Sequence, residues 1–267
     1  MTDLLPGLAL SLVVALAAWC KRSLSLSGLY AATVLGTLIY ILGNWLFWAV
    51  LISFFLTSSL LSKFKSAAKQ TVAADFAKTG RRDWLQVLAN GSIGLAMAGA
   101  WYFSGNDPIY AVGYFASFAA VNADTWATEL GILSTKEPLS ILTLKPVAAG
   151  VSGAVSLLGT GAALAGAAFI SILAALGLSL TTTVSWLGIA AVSAGGGFIG
   201  SLLDSVLGAS VQAMYRCPVC GKLTEKRHHH GQPTELARGL NWFENDAVNW
   251  VCSLAGGVIA MALYFWL

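Results

Sequence analysis

The sequence predicts an all-α fold: a polytopic membrane helix bundle with about eight transmembrane helices and both termini outside. Three observations lead there. Hydrophobic residues make up 57% of the 267 and charged residues only 10%, with a mean hydropathy of +0.74; a soluble domain carries roughly a quarter charged residues. Apolar runs near the ~20 residues needed to cross a bilayer recur along the whole chain. All 15 Lys and Arg fall in alternate loops. This composition excludes a soluble globular enzyme, a disordered chain and a nucleic-acid binder working through a basic surface. It fits one membrane domain over 1–267, with a longer polar loop at 211–245.

Eight apolar segments follow in order: 4–20, 25–42, 45–62, 84–103, 109–130, 149–174, 184–210 and 246–267. The first has no basic residue before it, and Lys21-Arg22 follow it, so it reads as a span and not as a cleaved signal. Only Gly43-Asn44 separates the second from the third, so 25–62 either spans twice or re-enters. The loops decide sidedness. Lys21 and Arg22 lie in loop one; Lys63, Lys65, Lys69, Lys78, Arg81 and Arg82 in loop three; Lys136 and Lys145 in loop five. Loop seven holds Arg216, Lys222, Lys226, Arg227 and Arg238, and the even loops hold none. The positive-inside rule then places the odd loops in the cytoplasm.

Polar groups enter the apolar segments at one level. The fifth ends Asn122-Ala123-Asp124-Thr125-Trp126-Ala127-Thr128-Glu129. At 100° per residue Asn122, Asp124, Thr125, Thr128 and Glu129 share an arc of about 160°. On the seventh, Gly197, Gly200, Ser201, Asp204, Ser205, Gly208 and Gln212 share a face. The small residues there predict close helix packing, which does not account for Asp204. The eighth opens with Asn241, Trp242, Asn245, Asp246 and Asn249 on one side, and the fourth with Asp83, Gln86 and Asn90. Each cluster lies within roughly 10 Å of the cytoplasmic boundary. Ionisable groups at such depth usually face a cavity or a partner. A polar pocket open to the cytoplasm is therefore expected.

Two loops carry further chemistry. Lys145 precedes Gly150, Ser152 and Gly153 at an expected helix start, an arrangement suited to phosphate. The GxxxxGK[ST] order of a P-loop is absent, and Lys145 alone serves equally well as a topology determinant. Loop seven contains Cys217-Pro218-Val219-Cys220 and then His228, His229 and His230. Thiolate and imidazole suit a structural zinc held by Cys217, Cys220, His229 and His230; two reduced thiols in an ordinary turn are the alternative.

Five stretches together carry a resemblance: Arg81 to Gly91, Ala123 to Gly131, Gly150 to Ser156, Ser201 to Gly208, and Asn245 to Asn249. The chain resembles the integral-membrane phytyl-phosphate kinase family of plants and cyanobacteria, which includes animal transmembrane protein 19. The likeness covers nearly the full length, and Ala123-Asp124-Thr125-Trp126-Ala127-Thr128-Glu129-Leu130-Gly131 is its most specific part. One departure lies at His229-His230-Gly231, where the family pattern has His-Cys-Gly.

The resemblance implies a membrane-embedded kinase that phosphorylates phytyl or another prenyl monophosphate with a nucleoside triphosphate, CTP or ATP, serving tocopherol synthesis. Its partners would be that lipid, the nucleotide and the surrounding membrane lipids. Asp124, Glu129, Asp204 and Asp246 are then candidate Mg²⁺ ligands, because Mg²⁺ prefers oxygen and bridges phosphates to one or two carboxylates. Lys145, Arg81 and Arg82 would offset phosphate charge. Asn90, Thr125, Thr128, Ser152, Asn245 and Asn249 would bind substrate or nucleotide. The expected location is a cell inner membrane or, in a photosynthetic cell, a thylakoid or plastid membrane, with the active site facing the cytoplasm. Another CTP-dependent polyprenol kinase, a lipid cytidylyltransferase, or a lipid transporter or flippase would present similar polar stripes.

Overall fold

A computed structural model describes residues 3–67, 69, 80–179 and 185–267. Lys78 of loop three lies outside the described residues. The described chain is mainly helical: α1 (Leu4–Cys20), α2 (Leu26–Lys63), α3 (Trp84–Phe103), α4 (Pro108–Gly131), α5 (Leu157–Ser179), α6 (Trp186–Ser210) and α7 (Asn245–Tyr264). Among them α2, α5, α6 and α7 are long and apolar enough to cross a membrane, and α1 is shorter at 17 residues.

The 38-residue α2 is not one straight rod, which would be about 57 Å long. Asn44 has φ 79° and ψ −175°, outside the helical region, and its Oδ1 accepts from the Leu46 backbone N–H at 2.8 Å. The chain reverses there. Lys63 Nζ, at the far end, donates to the Lys21 carbonyl at 2.9 Å. A Cβ at Gly36 would lie 3.7 Å from Trp48 Nε1, although twelve residues of straight helix cover about 18 Å. Residues 26–43 and 45–63 are therefore two antiparallel helices.

Sequence signals set the other helix starts. Asp83 and Gln86 form a capping box on α3: the Gln86 N–H donates to Asp83 Oδ1 at 2.9 Å, and the Asp83 N–H donates to Gln86 Oε1 at 3.2 Å. Asp107 caps α4, with Pro108 at its first position. The largest displacement is at α5, expected from 149 and beginning at Leu157. Gly150 (φ 85°) and Gly153 (φ 84°) hold left-handed backbone that a helix cannot contain. Residues 150–156 instead run as a loop. It ends in β2 (Ala154–Val155), which pairs antiparallel with β1 (Leu139–Ser140).

α4 is the central helix. Residues 111–123 are buried without a break, the pattern of a helix enclosed on all sides, and it packs against α3, α5, α6 and α7. The small residues on α6 permit that approach, as the sequence led one to expect. A Cβ at Gly197 would sit 2.5 Å from Ala119 Cβ, and one at Gly200 would sit 2.9 Å from Ala120 Cβ. Lipid offers apolar side chains no gain on association, so close backbone packing carries the energy.

The all-α expectation needs one correction. Between α6 and α7 the chain builds β3 (Met214–Arg216), β4 (Leu223–Thr224), β5 (His228–His229), β6 (Gln232–Pro233) and β7 (Glu235–Arg238). β4, β3 and β7 form an antiparallel sheet in that order, and β5–β6 a separate hairpin. These strands are too short and too polar to show an alternating pattern in sequence.

Candidate active site at the loop end of the bundle

A cavity of about 520 Å³ opens at the end of the bundle where all four Lys- and Arg-bearing loops meet. α4 brings Asp124, Thr125, Thr128 and Glu129 to it; α6 brings Ser201, Asp204 and Ser205; α7 brings Asn245 and Asn249; α3 brings Gln86 and Asn90. The glycine-turned loop 150–156 supplies Ser152. Cations also line it: Arg22, Lys63, Lys69, Arg82 and Lys136. The helical periodicity that grouped these side chains on single faces turned those faces toward one space.

One wall is acidic. Asp204 Oδ2 is buried, and no described protein group hydrogen-bonds it. Asp124 and Glu225 bear on it electrostatically, and the Cys252 thiol reaches the same carboxylate. Glu225 comes from the β4–β5 connection and was not apparent from sequence. Its Oε1 accepts from Ser152 Oγ at 2.9 Å and from Gln212 Nε2 at 3.0 Å, so the 150–156 loop and the 211–244 segment meet on this carboxylate. Carboxylate and hydroxyl oxygens around the unsatisfied Asp204 oxygen suit a hard cation.

Glu129 belongs to a different arrangement. Its Oε2 pairs with Lys69 Nζ at 2.6 Å, and its Oε1 accepts from Ser62 Oγ at 2.5 Å. The Glu129 side chain is only 20% exposed and that of Lys69 6%. This carboxylate is already neutralised by a cation sixty residues away, a pairing that no local motif signals.

Arg82 is held in place. Its backbone bridges Ser23 and Ser25, its Nη1 donates to Ser59 Oγ at 3.1 Å, and its guanidinium lies over the Phe54 and Phe55 rings. Burial draws its pKa down to about 10, partly opposed by Glu129, so it remains a cation at neutral pH. Three expected residues are not among those lining the cavity: Arg81 and Lys145, both exposed, and Asp246 in the first turn of α7. Lys145 lies in the β1–β2 connection, its backbone carbonyl accepting from the Ser140 N–H. Asn122 is wholly buried, accepting from Thr57 and donating to the Gly166 carbonyl.

A smaller apolar pocket adjoins the cavity among α1, α2 and α3. Val14, Ala15, Leu35, Leu51 and Phe55 help to line it, and it shares Arg82, Gln86 and Asn90 with the polar cavity.

Farther out on the 211–244 segment, ligand atoms of Cys217, Cys220 and His229 lie within 4.8 Å of one another. They are the one group of three or more His, Cys, Asp or Glu ligands so gathered among the described residues. Burial works to raise the Cys217 thiol, but the backbone N–H groups of Cys220 and Val219 and the Cys220 side chain outweigh it and hold its pKa below the ordinary value. His230 is not part of the group.

Fold and site together define a polytopic helical membrane protein with a charged cavity at the loop end of its bundle. Residues 9–257 match the family described as "Integral membrane protein DUF92", and the chain belongs to that family. It is 32% identical to Protein PGR of Arabidopsis thaliana, over 92% of this chain and 90% of that one. It is 28% identical to the uncharacterized membrane protein MJ0933 of Methanocaldococcus jannaschii, over 94% and 90% of the two chains. It is 26% identical to the chloroplastic Protein VTE6 of Arabidopsis thaliana, over 90% of this chain and 65% of that one. No solved structure matches.

Proposed function

We propose that this protein is a membrane-embedded phosphotransferase that converts phytyl or another prenyl monophosphate to the diphosphate with a nucleoside triphosphate. The observation that carries the reading is the junction of the two cavities at Arg82, Gln86 and Asn90. A prenyl phosphate has one anionic end and one long apolar end. The apolar pocket among α1, α2 and α3 takes the first part of the tail, and Arg82 and Asn90 hold the phosphate at the mouth of the polar cavity. The nucleotide enters from the loop side.

An eight-span arrangement with both termini outside and the cavity facing the cytoplasm accompanies this reading. Two facts support it: α2 doubles back at Asn44, and the four cationic loops line one cavity. The chloroplastic location in the name of the VTE6 relative is consistent with a plastid membrane in a photosynthetic cell.

The acceptor phosphate has a second pKa near 6 and is largely dianionic at neutral pH. The reaction therefore asks for positioning and charge neutralisation more than for a strong base. Asp124 and Asp204, with Glu225 beside them, fit a Mg²⁺ site through the unsatisfied Asp204 oxygen; the ion, when bound, neutralises and orients phosphate oxygens. Arg82, Arg22, Lys63 and Lys136 offset phosphate charge around the cavity. Thr125, Thr128, Ser152, Asn245 and Asn249 offer hydrogen bonds to phosphate or nucleotide. Glu129 holds Lys69 in place and is not a metal ligand.

The test is incubation of the detergent-purified protein with phytyl phosphate and each γ-labelled nucleotide in turn, followed by lipid separation. Label in a prenyl diphosphate supports the reading. A CDP-lipid formed with α-labelled CTP would make the protein a cytidylyltransferase. Absence of any nucleotide-dependent lipid product would remove the kinase assignment.

A further inference from the structure

The 211–244 segment is a small β structure with little apolar core of its own. Among its residues only Gln212, Ala213, Met214, Tyr215, Cys217, Thr224 and Phe243 are buried. Strands of two to four residues do not hold together by ladder bonds alone, so something else must fix the outer part of this loop.

The turn after β3 has a specific build. The Cys217 N–H donates to the Lys222 carbonyl at 3.0 Å, the Gly221 N–H donates to the Cys217 carbonyl at 2.9 Å, and Gly221 has φ 71°. This winds Cys217 and Cys220 around one point and sends the chain back along β4. The β5–β6 hairpin brings His229 to the same point: its Nδ1 lies 3.7 Å from Cys220 Sγ, and its carbonyl lies 3.9 Å from Cys217 Sγ. Both thiols are free.

We propose that Cys217, Cys220 and His229 bind one zinc ion that clamps the β3–β4 turn to the β5–β6 hairpin. Two sulfurs and one imidazole nitrogen within 4.8 Å are the donor set and spacing of a tetrahedral zinc centre. His230 lies outside this group of three donors, its ring centroid 4.2 Å from that of His229. The ion replaces the two thiol protons, which pass to solvent. The site is structural and acts on the cavity at second hand. Glu225 leaves directly from β4, between the two clamped elements, and its carboxylate receives Ser152 and Gln212. Fixing the hairpins fixes that carboxylate on the acidic wall.

The experiment uses the full chain, purified in detergent through an affinity tag that is not polyhistidine, with metal measured by mass spectrometry. About one zinc per chain is expected, retained by Cys20→Ser and Glu225→Gln and lost from Cys217→Ser, Cys220→Ser and His229→Ala. Cobalt substituted for zinc should give a thiolate-to-metal absorption band in the near ultraviolet, absent from Cys217→Ser. Should a variant fail to fold, the wild type still decides: a mercurial that caps thiols must release the zinc and lower the thermal midpoint. A wild-type protein that stays metal-free after incubation with Zn²⁺, or one that keeps its zinc after the thiols are capped, would overturn the proposal.

Discussion

Replacing Asp204 by Asn removes one charge from the acidic wall and nearly no volume. In the absence of Mg²⁺ that charge is a burden. Asp204 Oδ2 is buried without a protein hydrogen bond, and Asp124 and Glu225 repel it. An unsatisfied buried polar atom costs about 1–3 kcal/mol, and more when charged. The Asn variant should therefore be more stable than the wild type in Mg²⁺-free buffer. At about 2–4 °C per kcal/mol for a chain of this order of size, its thermal midpoint should rise by about 2–12 °C. Saturating Mg²⁺ should reverse the order. A hundredfold excess over Kd stabilises a binding-competent protein by about 2.7 kcal/mol, which the wild type gains and the variant largely forgoes. The assay is intrinsic tryptophan fluorescence against temperature, with and without Mg²⁺, in one detergent. A variant less stable than the wild type without metal, or equally raised by Mg²⁺, would refute the reading of this wall as a cation site.

Asp124→Asn should insert and fold but lose about 10²–10³ in phosphoryl-transfer rate, partly restored by extra Mg²⁺, whereas Asp107→Asn, which keeps the α4 cap on a side chain outside the cavity, should match the wild type in the same labelled-lipid assay. Lys69→Met leaves the half-buried Glu129 without its cation and should cost about 3–5 kcal/mol in denaturant titrations. Adding Glu129→Leu should recover most of that, and failure of the double variant to recover would argue against the pair. Cysteine-accessibility labelling of intact cells should leave 211–243 protected and mark a cysteine placed at Asn106; external labelling of 211–243 would reverse the orientation.

Much of this protein is set locally and was legible in the sequence. Apolar length and 100° periodicity are properties of a few consecutive residues. They placed most helices within a residue or two and put Asp124, Asp204, Asn90, Asn245 and Asn249 on faces that do line one cavity. The alternation of Lys and Arg grouped four loops that the tertiary structure brings to the same end.

Most of what the sequence did not announce is long-range. Glu129 looked equivalent to Asp124 one helical turn away, yet its charge is consumed by Lys69, which reaches it across sixty residues. Glu225 carries no periodic signal and enters the site only because the 211–244 segment folds against loop 150–156. Lys145, Arg81 and Asp246 have the right chemistry but are not presented to the cavity. The α5 start moved because Gly150 and Gly153 adopt left-handed backbone that composition alone does not announce. Hydrophobic period fixes which side of a helix turns inward, because burial depends on each residue's own transfer energy. Which charges meet inside depends on how those faces pack, and that pairing exists only once the helices are assembled.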